Sequence, residues 1–128
     1  MGLLRAIWIP RWHPARTNEL LTVHWAVAGR RKKADKEMVA GYCKQADVLK
    51  AAGKRRVTLT IVVKPKQRRA DPDSHWKSLL DALVACGMLV NDSPKWVELA
   101  PVAYERAVDW GTRITLEDVA NESRKPAG

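Results

Sequence analysis

The segment ADPDSHWKSLLDALVACGMLVNDSPKW, residues 70–96, sets Asp71 and Asp73 on either side of a proline. Lys77 follows four residues later, Asp81 four after that, and Asp92 stands beyond an apolar run. Carboxylates are hard oxygen donors. Mg²⁺ takes a few of them and keeps waters or substrate phosphate oxygens in its other positions. Asp71, Asp73 and Asp92 are therefore the candidate metal ligands, with Mg²⁺ as the expected ion and Mn²⁺ as its substitute. A metal held this way activates a water for in-line attack on a phosphodiester. Lys77 supplies a cation that steadies the charge developing on the phosphate or orients the water. These four residues form the candidate catalytic set.

A helix must position them. Its expected start lies at residues 71–74, with Pro72 suited to the first turn, and its end falls before Gly87. Trp76, Leu79, Leu80, Leu83 and Val84 recur at i, i+3, i+4, i+7 and i+8, which makes a core stripe. Asp73, Lys77 and Asp81 are each four apart, so they form a line along the edge of that stripe. A plainer role competes at the same place. Asp71 or Asp73 can cap the helix, whose first amide hydrogens lack partners. An Asp four residues before a Lys is also an ordinary helix pair worth about 0.3–0.5 kcal/mol. Capping does not account for the run KPKQRR immediately before it. Asp92 returns from the far end of the helix. Residues 74–86 span roughly 20 Å as a helix, and residues 87–92 reach at most about 20 Å when extended. Closure within one chain is only just within reach, and a site shared across a dimer is the other solution.

The segment resembles the RusA family of Holliday junction resolvases. The family pattern is D-x-D-N, a lysine four residues after the second aspartate, a helical D-A-L, and a turn of the D-D-S/A-Q type. Here it stands as DPDSHWKSLLDAL followed by VNDSPKW. About 27 residues correspond tightly, and about 100 loosely through the order of strands and helices. The resemblance implies a small homodimeric, Mg²⁺-dependent endonuclease that cuts branched DNA, chiefly four-way junctions. It puts the essential carboxylates on Asp71, Asp73 and Asp92 and the essential lysine on Lys77, with Asp81 in support. Ser74 replaces the usual Asn, which alters a supporting hydrogen bond. Asn91 replaces the first aspartate of the usual pair and offers a carbonyl oxygen without charge. A cytoplasmic setting in a bacterium, prophage or phage fits the family habit.

The chain of 128 residues carries 23 Lys and Arg against 14 Asp and Glu, a net charge of +9. Seventeen bases and four acids fall in residues 1–70, six bases and ten acids in residues 71–128, so the two stretches carry +13 and −4. Such an excess points to a polyanionic partner bound with release of counterions. The bases expected to hold duplex arms are Arg30, Arg31, Lys32 and Lys33; Lys54, Arg55 and Arg56; and Lys64, Lys66, Arg68 and Arg69. No run of about twenty apolar residues exists to span a membrane, and the apolar run near the N-terminus is too short for a signal peptide. Cys43 and Cys86 lack paired metal-ligand spacing, so a reducing compartment is the default. His13, His24 and His75 also lack metal-ligand spacing. Trp12 and Trp25 are candidates for stacking on unpaired bases, with loop anchoring or core packing as the plainer use.

One domain is expected over residues 1–119, with a polar, disordered tail over 120–128. Residues 3–9 read as a strand. Residues 10–29 read as a loop with a helical turn at 19–25. Residues 32–53 read as a helix with Met38, Tyr42, Gln45 and Leu49 on its buried stripe and Gly53 as its stop. Residues 55–65 are the clearest strand, and 88–90 a short extended return. Residues 96–104 and 112–119 read as an antiparallel hairpin turning near Asp109, Trp110 and Gly111. The sum is an α/β or α+β layer: a small mixed sheet packed with two main helices. Two other functions suit the same composition. One is a branched-DNA-binding protein without catalysis; the other is a basic structural protein whose acidic segment only caps a helix.

Overall fold

The structure is a computed structural model that describes residues 4–14, 25–66 and 75–119. The chain runs β1 (Leu4–Pro10), α1 (Trp25–Gln45), β2 (Arg55–Val63), α2 (Trp76–Ala85), β3 (Val97–Leu99), β4 (Ala103–Arg106) and β5 (Gly111–Asp118). The five strands form one mixed sheet, and with the two helices this is an α+β fold. Asp71, Asp73, Ser74, Arg68 and Arg69 lie outside the described residues, as do residues 19–24 of the expected turn and the tail from residue 120.

β2 is the hub. Its β-branched sequence suits a pleated, buried position, and Val57, Leu59, Ile61 and Val63 are at most 2% exposed. β5 pairs antiparallel with β2 on one side and with β1 on its other side. β3 and β4 both pair parallel with β2, against Arg55–Val57 and Thr60–Val63 respectively. The expected 96–104 strand is thus an edge strand interrupted between Leu99 and Ala103. Pro101 falls in the gap, where a missing N–H is tolerated. The hairpin expectation does not hold: β4 and β5 lie on opposite sides of β2. Residues 107–110 carry the chain across, and an antiparallel turn signal could not reveal that β2 intervenes. Residues 88–90 form bends rather than a strand, with Met88 and Leu89 buried.

The helices share one core with the sheet. Val39 and Cys43 of α1 and Leu79, Leu80, Ala82 and Leu83 of α2 pack with Ile7, Ile9, Ile114, Leu116 and the β2 apolar residues. The α2 stripe falls as expected, with Trp76 and Val84 packed at its margin. The α1 stripe is displaced by one position: Gln45 is exposed and Leu49 is 71% exposed, whereas Val39 and Cys43 are buried. α1 also begins earlier and ends earlier than expected. Asp47 adopts φ 56°, the Asp47 amide donates to Lys44 O and the Val48 amide to Cys43 O. That is a Schellman closure with Asp in the left-handed position usually held by glycine. α2 closes the same way with Gly87 at φ 81°, and the Met88 amide donates to Leu83 O at 2.9 Å. Gly111 opens β5 for a different reason. A Cβ there would meet Ile9 O at 2.5 Å and the Trp8 ring at 2.9 Å.

Candidate metal and nucleic-acid interface

α2 presents its stripe to the core, which leaves the opposite side for polar groups. Lys77 is exposed and Asp81 half-buried, and their spacing puts them on one side of the helix, as the sequence requires. Asp92 is exposed, in the connection from α2 to β3. Its neighbours form a tight turn: the amides of Trp96 and Val97 both donate to Ser93 O. The Ser93 amide donates to Asn91 Oδ1 at 3.0 Å, an Asx turn. Asn91 therefore shapes the loop that carries Asp92.

The two ends of α2 lie at opposite ends of β2. At the first end, His75 precedes the helix and its Nδ1–H donates to Pro14 O at 2.7 Å. The His75 ring meets the His13 ring at a centroid distance of 6.5 Å, and His13 Nε2–H donates to Val62 O at 2.9 Å. At the second end, the turn after Asp92 delivers Val97 to Arg55. Arg55 and Val62 are seven residues apart on one strand, roughly 23 Å at strand rise. Within one chain, then, Asp92 stands far from the start of α2. Among the described residues, no group of three His, Cys, Asp or Glu is arranged to hold a metal ion.

The basic residues divide by environment. Arg30, Arg31, Lys32 and Lys33 are exposed on α1, with Arg31 Nε 3.8 Å from Asp35. Lys64 and Lys66 are exposed beyond β2, and Lys54 is half-buried. Arg55 is a correction to the expected set. It is 2% exposed, and it donates through Nε to Asp118 Oδ1 at 2.7 Å and through Nη1 to Met88 O at 3.0 Å. A buried guanidinium so engaged ties β2 to β5 and to the end of α2 and cannot meet a phosphate. Arg56 is half-exposed and paired with Glu98 and Glu117. Those carboxylates raise its pKa, Glu98 most.

Trp12 takes the plainer role foreseen for it. Its Nε1–H donates to Asp35 at 3.1 Å, and Thr112 Oγ1 donates to its carbonyl at 2.6 Å, so it anchors the loop after β1. Burial raises the pKa of Asp35, while the Trp12 hydrogen bond and Arg31 oppose that rise. The cluster that sequence patterning missed is His13, His75 and Trp110. The Trp110 ring packs edge-on to His13 at 5.0 Å, with Lys64 Nζ 5.4 Å from the ring centroid. Residue spacing gave no sign of it, because three separate connections meet only in the fold. No family model matches the chain, and no curated protein matches it.

Proposed function

We propose that the chain is a divalent-metal-dependent endonuclease acting on branched DNA, four-way junctions above all. The observation that carries this reading is the segment DPDSHWKSLLDAL…VNDSPKW, whose Lys77 and Asp81 share one side of α2 while Asp92 is exposed. A hard-oxygen set of Asp71, Asp73 and Asp92 suits Mg²⁺. When bound, the ion supplies Lewis-acid activation of the attacking water. Lys77 then neutralises charge on the phosphate, and Arg30–Lys33, Lys64 and Lys66 hold the duplex arms.

Because Asp92 stands apart from the start of α2 within one chain, this reading requires a site completed by a second copy. A twofold dimer would bring Asp92 of one protomer to Asp71 and Asp73 of its partner. Such an enzyme matches a nearly twofold junction that needs two symmetric cuts. The test is Asp73→Asn on a labelled four-way junction with Mg²⁺. Cleavage is expected to disappear while binding stays largely intact; full cleavage by this variant would refute the assignment. A second reading, a branched-DNA binder that has lost cleavage, draws on Asn91, which spends its carbonyl on the Ser93 turn and brings no charge. It requires salt-sensitive junction binding and no cutting with either Mg²⁺ or Mn²⁺.

A further inference from the structure

At the end of the sheet where β1 and β2 finish and β5 begins, Arg11, Lys64, Pro65, Val108 and Trp110 line an open cavity of about 410 Å³. That volume lies within the usual range for small-ligand sites, about 300–1,000 Å³. The walls come from three connections that the fold locks together. The Arg11 amide donates to Trp110 O at 2.9 Å. Arg106 Nη1 donates to Pro65 O at 2.9 Å and to Lys64 O at 3.3 Å, which fixes the backbone beyond β2. His13 braces the Trp110 ring edge-on and is itself tied to Val62 O. The indole is half-exposed, Val108 is 82% exposed, and Arg11 and Lys64 are both exposed. Asp109, the acidic neighbour of Trp110 in sequence, is also exposed, while among the described residues the lining itself carries Arg11 and Lys64 and no carboxylate.

A braced aromatic ring with Lys64 Nζ over it and Arg11 in the same cavity is the chemistry that takes a nucleobase and its phosphate together, the lysine moving from the ring face to the phosphate as the base stacks. Stacking contributes about 1–3 kcal/mol per base and tolerates any base, because each has a π-face. The cations serve the phosphodiester. We propose that the cavity of Arg11, Lys64 and Trp110 binds one unpaired nucleotide of a DNA strand, the base on Trp110 and the phosphate on Arg11 and Lys64. This rests on the nucleic-acid reading above and extends it. The His13–His75 contact joins the cavity to the start of α2, so the nucleotide held here is one displaced beside the strand to be cut.

The test is fluorescence anisotropy of the full-length chain with a labelled eight-nucleotide oligothymidylate, in EDTA, so that no cleavage enters. Trp110→Leu removes the stacking face. Arg11→Gly removes a cation without strain, since Arg11 sits at φ 52°, where glycine is at ease. Each is expected to weaken single-strand binding about tenfold and to weaken binding of a linear duplex much less. An oligonucleotide with abasic sites should bind the wild type no better than oligothymidylate binds Trp110→Leu. Unchanged single-strand affinity in both variants would overturn the proposal, as would equal losses on single strand and duplex. Circular dichroism of Trp110→Leu separates lost binding from lost folding, and Arg11→Gly stands as evidence on its own should that variant unfold. Junction cleavage with Mg²⁺ is read separately. Absence of cleavage with the binding pattern intact would remove the nuclease reading and leave this site standing.

Discussion

At the scale of single residues, the chemistry hidden from patterning lies in side chains that meet across elements. Cys43 on α1 and Cys86 after α2 have no useful spacing, yet the packed helices bring their thiols together. The neighbouring Cys43 thiol lowers the Cys86 pKa to about 7, while Cys86 and burial together raise the pKa of Cys43. The thiolate is the reactive form. Alkylation by iodoacetamide, followed by mass spectrometry, is therefore expected to modify Cys86 first, with a rate rising through about pH 7. Cys43 should remain unmodified until the chain unfolds. Equal modification of both cysteines at pH 7 would contradict this opposed pair of shifts.

Among the elements, β2 carries a buried charge in Arg55. As a phosphate ligand it would be exposed, and its loss would reduce DNA affinity alone. As a buried tie it acts on stability instead. Asp118→Ala leaves the guanidinium buried without its carboxylate, and a cost of about 2–3 kcal/mol is expected in urea denaturation. Arg55→Met preserves apolar volume and removes the buried charge, so it should cost less. DNA affinity of the folded Arg55→Met protein should equal that of the wild type. By contrast, Arg31→Gln should weaken binding and flatten its salt dependence, since Arg31 is exposed on α1. A large affinity loss in Arg55→Met with unchanged stability would reverse the assignment.

For the whole molecule, the decisive feature is that α2 runs between opposite ends of β2. If Asp92 completes its partner's site, two defective chains should rescue each other. Asp73→Asn and Asp92→Asn are each expected to be inactive on a junction. Their mixture, after exchange of protomers, should recover on the order of a quarter of wild-type cleavage, because half the dimers carry one intact site. Recovery should follow the fraction of dimer in sedimentation. A mixture as inactive as its components would show that each chain must build its site alone.

Composition and period by themselves narrowed the class to α/β or α+β and determined the α2 stripe of Leu79, Leu80 and Leu83, the central strand and the basic excess, because local pattern encodes which face of an element is buried. The end of α1 was illegible, since Asp47 takes a left-handed position that sequence assigns to glycine. The partner of β5 was illegible too, since strand pairing is a long-range choice and nothing near Trp110 records that β2 lies between β4 and β5. Tertiary structure alone decided that Arg55 is internal, that Asp92 and the start of α2 are kept apart, and that Arg11, Lys64 and Trp110 line one open cavity. Burial and convergence depend on which distant elements pack together, and no single stretch of chain contains that information.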